Sequence, residues 1–341
     1  MRVARYYSQN DIRVEDMSIP EISEDDALVE MRACGICGSD FMHWHLKSRA
    51  PLVLGHEPTG MIAERGTNVE NFEVGDRVFV HHHVACLKCH YCLRGDFTLC
   101  KQFHETNIEP GGLAEYFKVP APNLQLDTLK IPDNLPFDEA TLIEPIGCCL
   151  RALKKCGIQK GDSIAVIGAG ATGIIHVRLS EILGATKIIV SDLIDYRLNV
   201  AKAFGADMVV NPKSEDISDI VKAETDGRGV DIVVVTAPSL EAYEAGLNVC
   251  RKGGRLCIFA PTEPGNYLQI SPKELFFSEV QIIPSYSTSH LETKAALDLL
   301  KSGKFNAKLL ITHRFTLSNA AEAFKAASES KENLKVVVVN G

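Results

Sequence analysis

The chain has 341 residues, 45% of them hydrophobic and 23% charged, with a formal net charge of −8; that is enough for two domains with separate cores, and the acidic balance argues against a nucleic-acid-binding or membrane-surface protein. No apolar run reaches the roughly 18 residues needed to span a bilayer, and the opening MRVARYYSQNDIRVED has no apolar signal core. Eleven cysteines, an odd number, oppose a secreted disulfide framework, so the expectation is a cytoplasmic chain whose thiolates serve metal.

Residues 1 to about 145 carry short β-like runs broken by Gly and Pro: ALVEMRA, TGMIAERG, DRVFVHHH and AEYFKVP. This spacing predicts a β-barrel-like domain with long functional loops. Two metal signals fall inside it. In the first, ACGICGSD is followed about twenty residues later by GHE, so Cys37, His56 and Glu57 offer one sulfur, one nitrogen and one oxygen. Three protein ligands with a replaceable fourth position make a catalytic zinc site. Each residue alone has a plain structural reading, the Cys as a small buried hydrophobe and the Glu as a surface charge; the combination carries the assignment. The second signal is Cys86-x2-Cys89-x2-Cys92-x7-Cys100. Four thiolates so close in sequence read as a closed structural zinc site, the alternatives being a chance cluster or two disulfides. The triple histidine His81-His82-His83 is read as strand. Successive side chains would then alternate faces, which favours structural or pocket-lining roles over shared ligation. Phe41 and Trp44, after Cys37, would line a cleft or belong to the core. Glu144, in IEPIG, would be a fourth ligand or would hold a metal-bound water.

Near residue 150 strands and helices begin to alternate. SIAVIGAG, ATGIIHVRLSEILGA, KIIVSD and DYRLNVAKAFGA are followed by DMVVN, SDIVKAETDG, VDIVVVT, EAYEAGLNVCRKG and RLCIFAP. The pattern predicts an α/β, doubly wound parallel sheet. Gly168-x-Gly170-x-x-Gly173 stands between an apolar strand and a helix, the context a dinucleotide turn requires. Gly168 would permit the turn, Gly170 the approach of a pyrophosphate and Gly173 close packing, with the N–H groups of Ala171 and Thr172 facing phosphate. Asp192 ends the next strand. A carboxylate there would accept the ribose hydroxyls of NAD and repel the 2′-phosphate of NADP; the plainer reading is a strand-end cap. Arg197 would stack near the adenine or sit in solvent. The last strand of the sheet is expected in VQIIPSY, and the tail is expected to return to the first domain. No 20–50-residue repeat or low-complexity tract interrupts this plan.

The chain resembles the zinc-dependent medium-chain alcohol/polyol dehydrogenases, in particular the sorbitol- and threonine-dehydrogenase-like branch. CGSD (37–40), GHE (55–57), the four-cysteine lobe (86–100), EP (144–145), GAGATG (168–173) and THRF (312–315) carry the resemblance, in the family's order. It implies a discontinuous GroES-like catalytic domain over 1–147 and 286–341 with a zinc lobe at 84–101, and a Rossmann NAD-binding domain over 148–285. Two zinc ions per chain, NAD, and a homo-oligomer, dimer or tetramer, would follow. It identifies Cys37, with Cys34 as a neighbour, as the ligand of the catalytic metal. His56 and Glu57 would complete that set, with a Glu57 carboxylate able to exchange on and off the metal. Ser39 would bond the substrate oxygen and pass on its proton, and Asp40 would orient His56. Zinc would lower the pKa of a bound alcohol, and hydride would pass to nicotinamide. Two places depart from the family. Met42 stands where many members have histidine, and His43 where polyol dehydrogenases often have a pocket tyrosine. Ser285-Tyr286 replaces a common Arg-Tyr pair at the substrate. The resemblance implies a small-molecule substrate, a secondary alcohol of polyol, sugar or amino-alcohol type or its ketone, with no nucleic acid or membrane partner. The competing readings are an NADP-dependent or zinc-independent reductase of the same superfamily, and a zinc-ribbon binding module without catalysis.

Overall fold

A computed structural model describes residues 1–340. The chain divides into two compact units, one made of Met1–Gly147 with the residues from Thr288 onward, the other of Cys148–Ser287.

The first unit is built on a sheet in the order Ile311–Thr316, Lys335–Val339, Ala27–Gly35, Glu57–Arg65, Arg77–Val80, Thr128–Lys130; Tyr116–Val119 also pairs with Ala27–Gly35. The central strand, Ala27–Gly35, is buried over nearly its whole length, because Val29, Met31 and Cys34 belong to the core and neighbouring strands cover both edges. Its register with Glu57–Arg65 shifts at Leu28/Val29 and at Met31/Ala33. Such bulges bend a strand and let the sheet curl around its core. The register sets Gly35 opposite Glu57 on one side and opposite Val337 on the other. A second sheet joins Asp11–Asp16, Arg2–Ser8 and Leu52–Val53, and the core between them includes Val3, Met31, Val78, Leu113, Phe117 and Val338.

One expectation fails here. The strand Arg77–Val80 stops before the histidines. The Asn123 amide donates to the carbonyls of both His81 and His82, at 2.9 and 2.8 Å. The buried Asp127 carboxylate holds His81 Nδ1 at 2.7 Å. His81 N–H still donates to the Asp127 carbonyl at 3.0 Å, but the side-chain bonds hold His82 and His83 in a loop beyond the strand, so the alternating-face argument does not apply to the triplet.

In the second unit six strands run parallel in the order Met208–Val210, Lys187–Ser191, Ser163–Ile167, Val230–Val235, Cys250–Ile258, Gln281–Pro284. Numbered along the chain, the order is 3-2-1-4-5-6, the Rossmann winding. Every residue of Ser163–Ile167 is buried, as expected of a central strand covered on both faces. The predicted last strand is Gln281–Pro284. Ser239 caps the helix Leu240–Val249, its hydroxyl accepting from Ala242 N–H at 3.2 Å; such a cap contributes about 1 kcal/mol.

Candidate active site

The four-cysteine lobe is assembled from turns. Short helical turns at Cys92–Arg94 and Phe97–Leu99 fold the segment back on itself, and Gly95 takes φ +80° to end the first of them. The sulfurs of Cys86, Cys89, Cys92 and Cys100 lie within 4.8 Å of one another. All four are free thiols, so the disulfide alternative does not hold. Cys89 and Cys92 Sγ are 3.5 Å apart and Cys86 and Cys92 Sγ 4.0 Å. Sulfurs at about 2.3 Å from one tetrahedral zinc would be spaced by about 3.8 Å, so the lobe fits the ion. A backbone N–H from Lys88 brings the Cys86 thiol down to about 6, while burial pushes Cys92 up to about 12.

The mixed cluster forms where strands of the first unit end. Cys37 follows Ala27–Gly35 after one residue, and Glu57 begins Glu57–Arg65. Gly55 has φ +94°, and a Cβ there would lie 2.7 Å from the Leu113 nitrogen and 2.8 Å from Cys34 Sγ. Only glycine therefore delivers His56 and Glu57 at this point. The ligand atoms of Cys37, His56 and Glu57 lie within 4.8 Å of one another. Asp40, 3% exposed, accepts the Cys37 N–H at 3.0 Å with one oxygen and sets the other 3.5 Å from His56 Nδ1. Ser39 Oγ stands 3.5 Å from the other ring nitrogen, Nε2. Burial works against a charged His56, but Asp40 and Cys37 outweigh it and hold its pKa well above the usual value. Burial, then the charge of Glu57, raises the Cys34 thiol, which leaves Cys34 an uncharged neighbour.

Glu57 is completely buried. Burial first, with Glu144 adding and Lys335 opposing, raises its pKa. Its Oε1 meets no hydrogen-bond donor. An orphaned buried carboxylate oxygen beside a thiol and an imidazole is what a cation would satisfy, so these residues fit a zinc ion. Glu144 is 5% exposed in the first turn of the helix Ile143–Lys155. It lies outside the close triplet, yet its charge acts on both Glu57 and Lys335. Lys335 is the residue that sequence reasoning missed. It is 3% exposed and forms an ion pair with Glu57 Oε2. The available signal was a lone lysine opening the otherwise apolar run KVVVV.

The His82 ring lies 5.1 Å from that of His56 and 4.0 Å from that of His83. Burial, then the neighbouring histidines, holds the His82 pKa well below the usual value. Burial takes His83 down to about 4, and its Nδ1 donates to the Thr106 carbonyl at 2.5 Å. None of the three histidines belongs to a metal-type cluster among the described residues. His43 Nδ1 is bonded to Tyr6 OH at 2.8 Å. Phe41 packs edge-on against Phe324 in the core, and Trp44 is exposed.

In the second unit, Gly168 has φ +104°, and a Cβ there would meet Thr236 Oγ1 at 2.6 Å. A Cβ on Gly173 would lie 2.0 Å from the Gly168 carbonyl oxygen, whereas one on Gly170 would meet nothing within 4 Å. The first and third glycines close the turn on itself, and the second leaves open space. No side chain caps the helix Ala171–Ile182 that follows. This bare, open helix start fits a pyrophosphate. The Asp192 carboxylate is tied into the turn: Oδ2 accepts from Ala169 N–H at 2.7 Å and Oδ1 from Ile194 N–H at 2.8 Å. Arg197 lies in the first turn of the helix Asp195–Ala203. Arg151 donates to the Tyr286 carbonyl at 3.2 Å and reaches Ser285 Oγ at 3.5 Å, and the Tyr286 side chain is exposed.

Two family models match: the alcohol dehydrogenase GroES-like domain over residues 23–133 and the zinc-binding dehydrogenase over residues 171–302. Sorbitol dehydrogenase of Bacillus subtilis (strain 168) is 34% identical over 349 residues, covering 99% of this chain and 97% of that protein. L-threonine 3-dehydrogenase of Pyrococcus furiosus is 33% identical over 326 residues, 93% of this chain and 92% of its own. Among solved structures, the alcohol dehydrogenase TADH from Thermus sp. ATN1 superposes with a TM-score of 0.88 at 28% identity, over 99% of each chain. With both domain models and full-length relatives in agreement, the chain belongs to the zinc-dependent medium-chain alcohol and polyol dehydrogenases.

Proposed function

We propose that this alcohol/polyol oxidoreductase carries two zinc ions, uses NAD in preference to NADP, and interconverts a secondary alcohol of polyol, sugar or amino-alcohol type with its ketone. The observation that carries the reading is the convergence of Cys37, His56 and Glu57 ligand atoms within 4.8 Å, with an unanswered carboxylate oxygen among them. When bound, zinc supplies a Lewis acid that acidifies an alcohol oxygen, and the nicotinamide ring supplies the hydride acceptor.

Cys37 Sγ, His56 Nε2 and Glu57 would hold the catalytic metal, with Glu144 behind Glu57 as a further carboxylate. Asp40 keeps the His56 ring turned, since one carboxylate spans the Cys37 N–H and His56 Nδ1. Ser39 Oγ, beside His56 Nε2, would take the proton leaving the substrate hydroxyl and pass it towards solvent. His43, and separately Tyr286, are the candidates for contact with substrate. Cys86, Cys89, Cys92 and Cys100 would hold the second zinc as a closed structural site. Gly168, Gly170 and Gly173 shape the turn, and the N–H groups of Ala171 and Thr172 would receive the pyrophosphate. Asp192 would accept the ribose hydroxyls with its remaining lone pairs, near Arg197.

The reading is tested by metal content and by NADH absorbance with a panel of polyols, sugars, amino alcohols and simple secondary alcohols. Two zinc ions per chain and NADH formation with at least one secondary alcohol are expected. One zinc or none, or turnover unaffected by complete metal removal, sinks it. We also place the chain in a homo-oligomer. Phe276, Phe277 and Tyr267 are 76%, 70% and 80% exposed, and Gln281–Pro284 leaves a sheet edge unpaired; apolar surface and open edges of this kind are normally covered. Light scattering that returned a monomer at working concentration would refute this. No helix is long and apolar enough to cross a membrane among the described residues, and eleven cysteines outside any disulfide favour a reducing compartment such as the cytoplasm.

A further inference from the structure

Neither oxygen of the Glu57 carboxylate accepts a well-directed hydrogen bond; what sets the two apart is an ion pair. Oε2 faces the Lys335 ammonium, and Oε1 faces no donor. The pair is sealed: Lys335 is 3% exposed and Glu57 0%. Its geometry is built by the sheet. Lys335 opens the strand Lys335–Val339, whose Val337 pairs with Gly35, and Gly35 in turn pairs with Glu57. A Cβ on Gly35 would lie 1.8 Å from Glu57 Oε2 and 2.8 Å from Lys335 Cε, so the space for this pair is cleared by a missing side chain. Burial alone disfavours a charged lysine here. A buried ammonium next to a divalent ion is costly by simple repulsion, and an apolar residue would fill a strand position better. Its presence calls for a role at the site.

We propose that Lys335 is a positioning residue for the reactive metal: its ammonium occupies Glu57 Oε2, leaving Oε1 as a single-point ligand and keeping one coordination position open for the substrate oxygen. A carboxylate free at both oxygens can chelate a metal through both. Lys335 prevents that closure and offsets the negative charge of Cys37, Glu57 and Glu144. The inference rests on reading Cys37, His56 and Glu57 as the metal site.

The test replaces the reactive metal with Co²⁺ in the full chain and compares wild type, Lys335→Met, Lys335→Arg and the double variant Glu57→Gln/Lys335→Met. Wild type should show the intense visible absorption of four-coordinate cobalt. Lys335→Met should show weaker, higher-coordinate absorption and should release metal to a chelator roughly tenfold more slowly, since one cationic neighbour has gone and the carboxylate can close on the ion. Its kcat should fall more than its KM rises. Lys335→Arg should return spectrum and release rate towards wild type. The double variant, which removes both buried charges and so is protected from a folding failure of the single change, should recover four-coordinate absorption and release metal faster than wild type. A folded Lys335→Met with wild-type spectrum and release rate overturns the proposal. So does a double variant that binds metal as the single variant does, or, should Lys335→Met not fold, a double variant with unchanged release. A wild type that binds metal only at the cysteine lobe overturns the site reading itself, independently of any lysine variant.

Discussion

The two units prepare for chemistry in opposite ways. In the proposed reading, the first would rely on the identity of a few side chains gathered from positions 37, 39, 40, 56, 57, 144 and 335, each held by a strand end, a tight turn or a buried charge. The second relies on backbone: two glycines close a turn, a third leaves it open, and a helix begins without a side-chain cap. Side-chain sites lose function when one atom type changes. A backbone site should tolerate most substitutions that spare its shape. The two functions should therefore fail separately.

The sharpest break is Cys37→Ser or His56→Ala. Either should lower kcat/KM by at least about a thousandfold, roughly the contribution expected of transition-state charge stabilisation at one centre, while NADH binding measured by fluorescence titration stays within a few-fold of wild type. Loss of both together would show that the units do not fail separately. Next in size is Cys89→Ser. The closed lobe should lose its zinc and several kcal/mol of folding free energy with it, read as one metal fewer per chain and a markedly lower melting temperature. Unchanged melting and metal content would remove the lobe from any structural role.

A third test concerns protons in the second unit. His176 is completely buried, and burial brings it down to about 4, against an ordinary 6.5. The unfolded chain takes up this proton below pH 6.5 and the folded chain only near pH 4. Stability from this group is therefore complete above pH 6.5 and is lost as pH falls towards 4, by up to about 3 kcal/mol. Urea midpoints at pH 7 and pH 5 should differ in wild type and differ less in His176→Leu; an equal pH response in both excludes the group. The smallest expected effect is Asp192→Ala. It should weaken NAD use and narrow the preference over NADP by roughly ten- to a hundredfold in kcat/KM. Equal use of both cofactors by wild type would return Asp192 to its role as a cap.

The parts of the site that were legible in the sequence are local. The four cysteines, the GHE triplet and the glycine turn each lie within fifteen consecutive residues, and spacing alone restricts what such clusters can do. What escaped depends on pairing between distant strands. Lys335 meets Glu57 only because two strands flank Ala27–Gly35, and nothing within either segment announces it. The histidine triplet was misread for a related reason: partners at Asn123 and Asp127, some forty residues on, override the local strand pattern. Asp192 shows a third kind of gap, since a carboxylate at a strand end can bind the turn, a ligand or both, and the structure gives it two backbone donors.

The inserted arrangement also bears on the order in which the protein takes shape during synthesis. The strands of the second unit all lie between Ser163 and Pro284 and can pair as soon as that stretch has left the ribosome. The first unit is completed later: Ala27–Gly35 can pair early with Glu57–Arg65 and Tyr116–Val119, but its remaining neighbour comes only with Lys335–Val339. Until then Glu57 lacks its counter-charge, and the thiol and imidazole beside it stand in an unfinished sheet. The nascent chain would thus carry a formed nucleotide fold before it has a finished metal pocket, and metal acquired after release would enter a pocket that already contains its lysine.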